Sequence, residues 1–152
     1  MNILFAGSPK SSSRILESIA NIKSVNIKGV LTKPDKRGKR GAVLHESEVA
    51  KTATSLNLKV FKPKSLNDVD LKADIQFLNL DLIVVVAYGK LIPNWLLNLP
   101  KVMCLNVHFS LLPKYRGASP IQSSLLNGDS ETGISFMQMT ERLDEGGLIS
   151  TK

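Results

Sequence analysis

The stretch Leu105-Asn106-Val107-His108-Phe109-Ser110-Leu111-Leu112-Pro113-Lys114-Tyr115-Arg116-Gly117 holds the residue types best suited to chemistry in this chain. Asn106 and His108 stand two apart, so on a strand their side chains leave the same face. An amide placed there can donate a hydrogen bond to a carbonyl oxygen as that oxygen gains negative charge. An imidazole can do the same as a cation, or move a proton near neutral pH. A carboxylate is then needed to hold the imidazole and accept a proton. Asp144, in Arg142-Leu143-Asp144-Glu145-Gly146-Gly147, is the candidate. Taken alone, both groups have a plainer reading. A histidine at a strand end is often structural, and Asp-x-Gly is ordinary turn chemistry.

Positioning such a set requires strands whose ends converge, and the hydropathy pattern supplies them. Residues 2–6, 27–32, 59–61, 102–108 and 134–139 read as strands, and Leu148 to Ser150 begins another. Asp81 to Ala87 contains Leu-Ile-Val-Val-Val, the continuous run expected of a central parallel strand covered on both faces. Helical spacing appears at Ile15, Leu16, Ile19 and Ile22, and at Val49, Ala50, Ala53 and Leu56. Ser11 to Ser13 offer caps for the first helix. Asp70 to Asn79 reads as a helix, and Ser119-Pro120 opens another that Asn127-Gly128 stops. This alternation predicts an α/β domain with an open, mostly parallel sheet and helices on both faces. In such sheets ligands bind at the carboxyl ends of strands, where Asn106 and His108 fall.

Composition narrows the partners. The 152 residues are 43% hydrophobic and 22% charged, with a net charge of +7, an ordinary globular profile. No run approaches the length of a membrane span. The single cysteine, Cys104, lies in an apolar run and reads as a buried, inert thiol, which suits a reducing, cytoplasmic setting. Two histidines and one cysteine make a poor zinc set, so no metal is expected. After the first strand, Ala6-Gly7-Ser8-Pro9 lacks Gly-x-Gly-x-x-Gly, and Pro9 removes a donor that a pyrophosphate would use, which argues against a dinucleotide.

Lys33-Pro34-Asp35-Lys36-Arg37-Gly38-Lys39-Arg40-Gly41 forms a basic loop between the second strand and the second helix. Lys33, Lys36, Arg37, Lys39 and Arg40 could meet phosphates with salt-dependent, sequence-blind affinity. A solvated, solubilising loop is the other reading. It carries no P-loop pattern.

Asn106-x-His108, Ser110-Leu111-Leu112-Pro113 and Asp144 in its Asp-x-Gly loop resemble the signature of the folate-dependent formyltransferases. Phe5-Ala6-Gly7-Ser8-Pro9, Val84 to Gly89, Tyr115 to Gln122, and Thr132-Gly133 with Met137-Gln138-Met139 resemble in particular the members acting on methionyl-tRNA. The similarity spans residues 1–152 and implies a Rossmann-like formyltransferase fold. It implies a formyl donor, 10-formyltetrahydrofolate, and an acceptor, the amino group of methionine on initiator tRNA. Asn106, His108 and Asp144 would be catalytic. Tyr88, Gly89, Lys90, Leu91, Ile92 and Leu143 would face the pterin, with Ser110, Leu111, Leu112 and Pro113 completing the folate site. The five cations of the basic loop would meet the tRNA acceptor arm. The resemblance also implies a longer chain, with a tRNA-binding carboxyl-terminal barrel that is absent from these residues, so that 1–152 is the catalytic part, cut within a strand.

Three departures accompany it. Phe109 stands where the family has a small residue, Gly147 replaces an acidic one, and Leu44-His45-Glu46-Ser47-Glu48 replaces a proline-bearing stretch with an acidic one. A small-amine acceptor, such as a nucleotide-linked amino-sugar, and a non-catalytic folate- or RNA-binding remnant remain open alternatives.

Overall fold

The computed structural model describes residues 1–37 and 44–152. The chain runs β1 (Asn2–Gly7), α1 (Lys10–Ala20), β2 (Asn26–Leu31), β3 (Lys36–Arg37), β4 (Leu44–His45), α2 (Glu48–Ser55), β5 (Val60–Phe61) and α3 (Val69–Gln76). It continues through β6 (Leu82–Val86), α4 (Asn94–Leu97), β7 (Met103–His108), α5 (Pro120–Leu126), β8 (Ser135–Gln138) and β9 (Leu148–Thr151). Seven strands form one sheet in the order β5-β2-β1-β6-β7-β8-β9. The first five are parallel, and β8 pairs antiparallel with both β7 and β9. β1 has β2 on one side and β6 on the other, so the winding reverses between β1 and β6. That reversal opens a crevice beyond the strand ends.

Period-two alternation builds both layers of the core. Leu4 and Ala6 of β1 and Ile83 and Val85 of β6 pack with Leu71, Ile75 and Leu96 from α3 and α4. Ile3 and Phe5, with Val84 and Val86, pack on the opposite face with Leu16, Val49 and Ala53 from α1 and α2. The unbroken apolar run of β6 follows from this two-sided burial. Gly7 permits the crossover, because a Cβ there would lie 2.9 Å from both the Val86 carbonyl oxygen and Ser12 Cβ.

Several local expectations are corrected. Ser11 to Ser13 do not cap α1. Pro9 occupies the cap position and makes no side-chain cap bond. Ser12 instead donates to the buried Val86 carbonyl at 2.6 Å, tying the helix to β6, and Ser13 bonds back to Lys10. The third helix ends at Gln76 rather than Asn79, since Asn79 adopts a left-handed backbone (φ 51°) that a helix cannot continue through. The four-residue α4 and the β3–β4 hairpin are too short to leave a periodic signature.

Cys104 is buried, and burial pushes its thiol up to about 12. Thiolate is the reactive form, so iodoacetamide at mildly alkaline pH should leave the native protein unlabelled. Mass spectrometry should then show one adduct once the protein is unfolded in denaturant.

Candidate active site

Strand pairing brings the chemical groups together. β7 ends at His108, and Asn106 and His108 pair with Met137 and Ser135 of β8. Both side chains therefore leave the face that also carries Cys104. Asp144 enters from the loop between β8 and β9. Its carboxylate accepts from Asn106 Nδ2 at 3.3 Å through Oδ1 and from the Gly117 N–H at 2.8 Å through Oδ2. The same Oδ2 lies 3.8 Å from His108 Nδ1, and the His108 and Asp144 side chains are only 6% and 8% exposed. At so low an exposure the carboxylate and imidazole interact through little water, which strengthens their mutual electrostatics.

The other ring nitrogen, His108 Nε2, lies 2.9 Å from the Tyr115 carbonyl oxygen. A carbonyl oxygen only accepts, so Nε2 carries a proton in this arrangement. The edge left for chemistry is Nδ1, facing Asp144.

Backbone strain gathers here. Ala87, Tyr115 and Asp144 adopt left-handed φ of 45°, 58° and 50°, and Gly89 and Gly117 adopt 70° and 101°. Non-glycine residues rarely rest in this region, and such outliers cluster at functional sites. Only Asn57 and Asn79, both just past helix ends, share it among the remaining described non-glycine residues.

A cleft of about 1010 Å³ lies over these groups. Its walls include Ser8 after β1, the segment Ala87 to Ile92 after β6, Asn106 to Phe109 on β7, and Leu143-Asp144. It thus sits at the winding reversal. Tyr88 contributes backbone, while its ring is buried in the core and its hydroxyl finds no hydrogen-bond partner. Gly89 takes a left-handed backbone (φ 70°) that would strain a side chain, and it runs beside the flexible end of Lys33. Lys90 reaches the cleft, but its Nζ is bound by the Pro63 and Lys64 carbonyls, each at 2.9 Å. Leu91 and Leu143 are exposed, whereas Ile92 is buried.

Ser110, Leu111, Leu112 and Pro113, expected beside the folate, do not line this cleft, and Leu111 borders a neighbouring cavity. Ser110 is buried, its Oγ donating to the Lys114 carbonyl at 2.6 Å. Ser135 Oγ accepts from the Leu112 N–H at 3.0 Å and donates to the Ser110 carbonyl at 2.7 Å. The segment is stitched to β8 and scaffolds the loop that follows. Phe109 packs against the β1–α1 side of the core and borders the cleft.

Of the basic loop, Lys33 and Lys36 line the cleft mouth and Arg37 is exposed beside them. Lys39 and Arg40 lie outside the described residues. The neighbouring acidic stretch is largely neutralised internally: Glu46 pairs with Lys62 at 2.5 Å, and Glu48 with Lys51 at 2.6 Å. Asp35 joins Lys62 at 2.9 Å.

Sequence reasoning missed the Tyr115 carbonyl, the Gly117 N–H and the Ser135 hydroxyl. The first two are main-chain groups that every residue possesses, so residue type announces neither. Ser135 lies directly across from His108 in the antiparallel ladder, which the expected strands left unpaired.

A mostly parallel sheet with a switch-point cleft, and an amide, imidazole and carboxylate on its floor, define an α/β protein with a candidate active site at the reversal of its winding. The sequence pattern described as Formyl transferase matches residues 1–152, and the chain belongs to that family. It is 46% identical over 150 residues to a methionyl-tRNA formyltransferase from Mycoplasmopsis pulmonis, covering 98% of this chain and 50% of that protein. A methionyl-tRNA formyltransferase from Ehrlichia ruminantium is 45% identical over 152 residues, again covering 50% of its own length. The chain thus spans about half the length of these curated relatives. Among solved structures, a phosphoribosylglycinamide formyltransferase from Anaplasma phagocytophilum superposes with a TM-score of 0.80 at 21% identity, covering 99% of this chain and 70% of that one. A sugar N-formyltransferase from Shewanella gives 0.65 at 22% identity, covering 100% and 56%. These two establish the shared fold.

Proposed function

We propose that the protein transfers a formyl group from 10-formyltetrahydrofolate to the amino group of methionine on initiator tRNA, in the cytoplasm. The observation that carries this reading is the buried carboxylate of Asp144, set between Asn106 Nδ2, the Gly117 N–H and His108 Nδ1. The amine attacks the formyl carbon, a new C–N bond forms, and the bond from that carbon to the folate nitrogen breaks. Charge develops on the formyl oxygen during attack. Asn106 Nδ2 has a second N–H beyond the one held by Asp144, and a protonated His108 presents Nδ1–H. Both are suited to that charge. Asp144 stabilises the imidazolium and relays the proton lost by the amine, directly or through water, to the departing folate nitrogen.

The cleft fits such a donor. At about 1010 Å³ it has the size of a ligand site. The backbone of Gly89 to Ile92 offers hydrogen bonds to a flat heterocycle, and Ile92 and Leu143 offer apolar contact. The relatives at 46% and 45% identity are named for methionyl-tRNA, and Lys33, Lys36 and Arg37 at the mouth suit a polyphosphate backbone.

The test is a formylation assay with 10-formyltetrahydrofolate on initiator Met-tRNA, run beside a nucleotide-linked amino-sugar. Formyl-methionyl-tRNA should accumulate and the sugar should not react. Transfer to the sugar alone would redirect the acceptor, and folate binding without any transfer would leave a non-catalytic binder. Replacing Lys33, Lys36 and Arg37 by alanine should raise KM for tRNA. Each lost phosphate contact should reduce the slope of log affinity against log salt by about one, measured by filter binding across a salt series.

A further inference from the structure

The loop behind His108 has an anchor that the chemistry above leaves unused. Residues 115–117 serve both members of the ion pair at once: the Tyr115 carbonyl receives His108 Nε2–H, and the Gly117 N–H holds Asp144. Yet Tyr115 has a left-handed backbone, φ 58°, which a bulky aromatic residue does not adopt without support. The support is its own side chain. Tyr115 Oη donates to Asp129 Oδ2 at 2.8 Å. Asp129 is fixed in turn where α5 ends, its N–H bonded to the Ser124 carbonyl at 3.1 Å. Lys114 approaches the same carboxylate at 3.4 Å from an exposed position. The phenol and Asp129 border a separate cavity of about 380 Å³ that shares no lining residue with the catalytic cleft. The pair thus acts from outside the site.

We propose that Tyr115 and Asp129 form a positioning pair that holds the Tyr115 carbonyl behind His108 and thereby dictates which ring nitrogen carries the proton. With the carbonyl in place, a neutral His108 keeps its proton on Nε2 and leaves Nδ1 free toward Asp144, and a charged His108 has its Nδ1–H left for the reacting oxygen. With the phenol unanchored, residues 115–117 relax from the left-handed region, the carbonyl withdraws, and the ring loses its preferred tautomer. Asp129 also holds the Tyr115 phenol above its usual titration range, so it stays protonated as a donor through the whole working pH range.

The ring readout stands on geometry alone, and only the rate readout rests on the formyl-transfer reading. Tyr115→Phe, Asp129→Ala and Asp129→Asn are prepared in the full chain. Long-range proton–nitrogen correlation spectra at alkaline pH report the His108 tautomer, with His108→Gln supplying the assignment against His45. The wild type should show the proton on Nε2 alone. Tyr115→Phe and Asp129→Ala should show mixed tautomers, with kcat lowered about tenfold and KM for both substrates unchanged. Asp129→Asn keeps a carbonyl acceptor for the phenol and should stay close to wild type in both readouts. A single Nε2–H tautomer and unaltered kcat in Tyr115→Phe or Asp129→Ala, whatever their melting temperature, would overturn the proposal, as would Asp129→Asn behaving like Asp129→Ala. Either of the first two variants suffices if the other fails to fold. A wild type without transferase activity would defeat the proposed function and leave the tautomer result to decide the pair.

Discussion

Asp144→Asn should lower the formylation rate by about 10²- to 10⁴-fold, the range of a positioned proton-transfer group, while the protein still folds. Asparagine is nearly isosteric and tolerates the left-handed backbone at this position (φ 50°), so the loop keeps its course. The hydrogen bonds do not survive the exchange. Asp144 accepts from Asn106 Nδ2 with one oxygen and from the Gly117 N–H with the other. An amide has one oxygen, so its NH₂ must confront one of these donors. It also offers His108 Nδ1 no negative charge and cannot take a proton from the attacking amine. Losing a hydrogen bond to a buried charged group costs about 1.5–3 kcal/mol, a modest fall in melting temperature. Single-turnover kinetics alongside thermal melts separate the two effects. A variant within tenfold of the wild-type rate would mean that Asp144 only shapes the loop.

Gly146→Ala should reduce kcat by about 100-fold without touching any reacting group, the penalty attached to a displacement near 1 Å in a catalytic constellation. A Cβ on Gly146 would fall 1.7 Å from the Gln138 carbonyl oxygen of β8. That oxygen is backbone and cannot swing aside. The neighbouring Gly147 carbonyl accepts from the Gln138 N–H at 2.9 Å, so the loop is zipped to β8 at this point. The added methyl must push the loop off the strand, and Asp144, two residues earlier, moves with it. Gly147→Ala is the matched control, because a Cβ there meets nothing within 4 Å. Equal rates in the two variants would show that the 138–147 contact does not position Asp144.

The departures from the family pattern acquire physical meaning in the same terms. Gly147 faces open space, so the missing acidic residue leaves no hole to fill. The carboxylates of Glu46 and Glu48 are paired with Lys62 and Lys51, and so oppose the nearby cations less than the bare sequence suggests. Phe109 points to the core layer of α1 and α2, opposite in strand parity to His108, which spares the catalytic face.

Local patterning sufficed for the seven strands of the main sheet, the major helices and the two-sided burial of β6, because hydrophobic periodicity is written into neighbouring residues. Strand parity likewise put Asn106 and His108 on one face before any contact was known. What the tertiary structure alone decided is how distant segments meet. Strand order put β7 beside β8 and carried Asp144, 38 residues from Asn106 along the chain, to the imidazole. Folding of residues 110–117 turned a carbonyl and an N–H, chemically identical to those of every other residue, into the groups that hold His108 and Asp144. It also turned the Tyr88 ring into the core and moved Ser110 to Pro113 off the cleft wall. Main-chain direction and long-range pairing depend on the whole sheet closing at once, and no short stretch of residues encodes them.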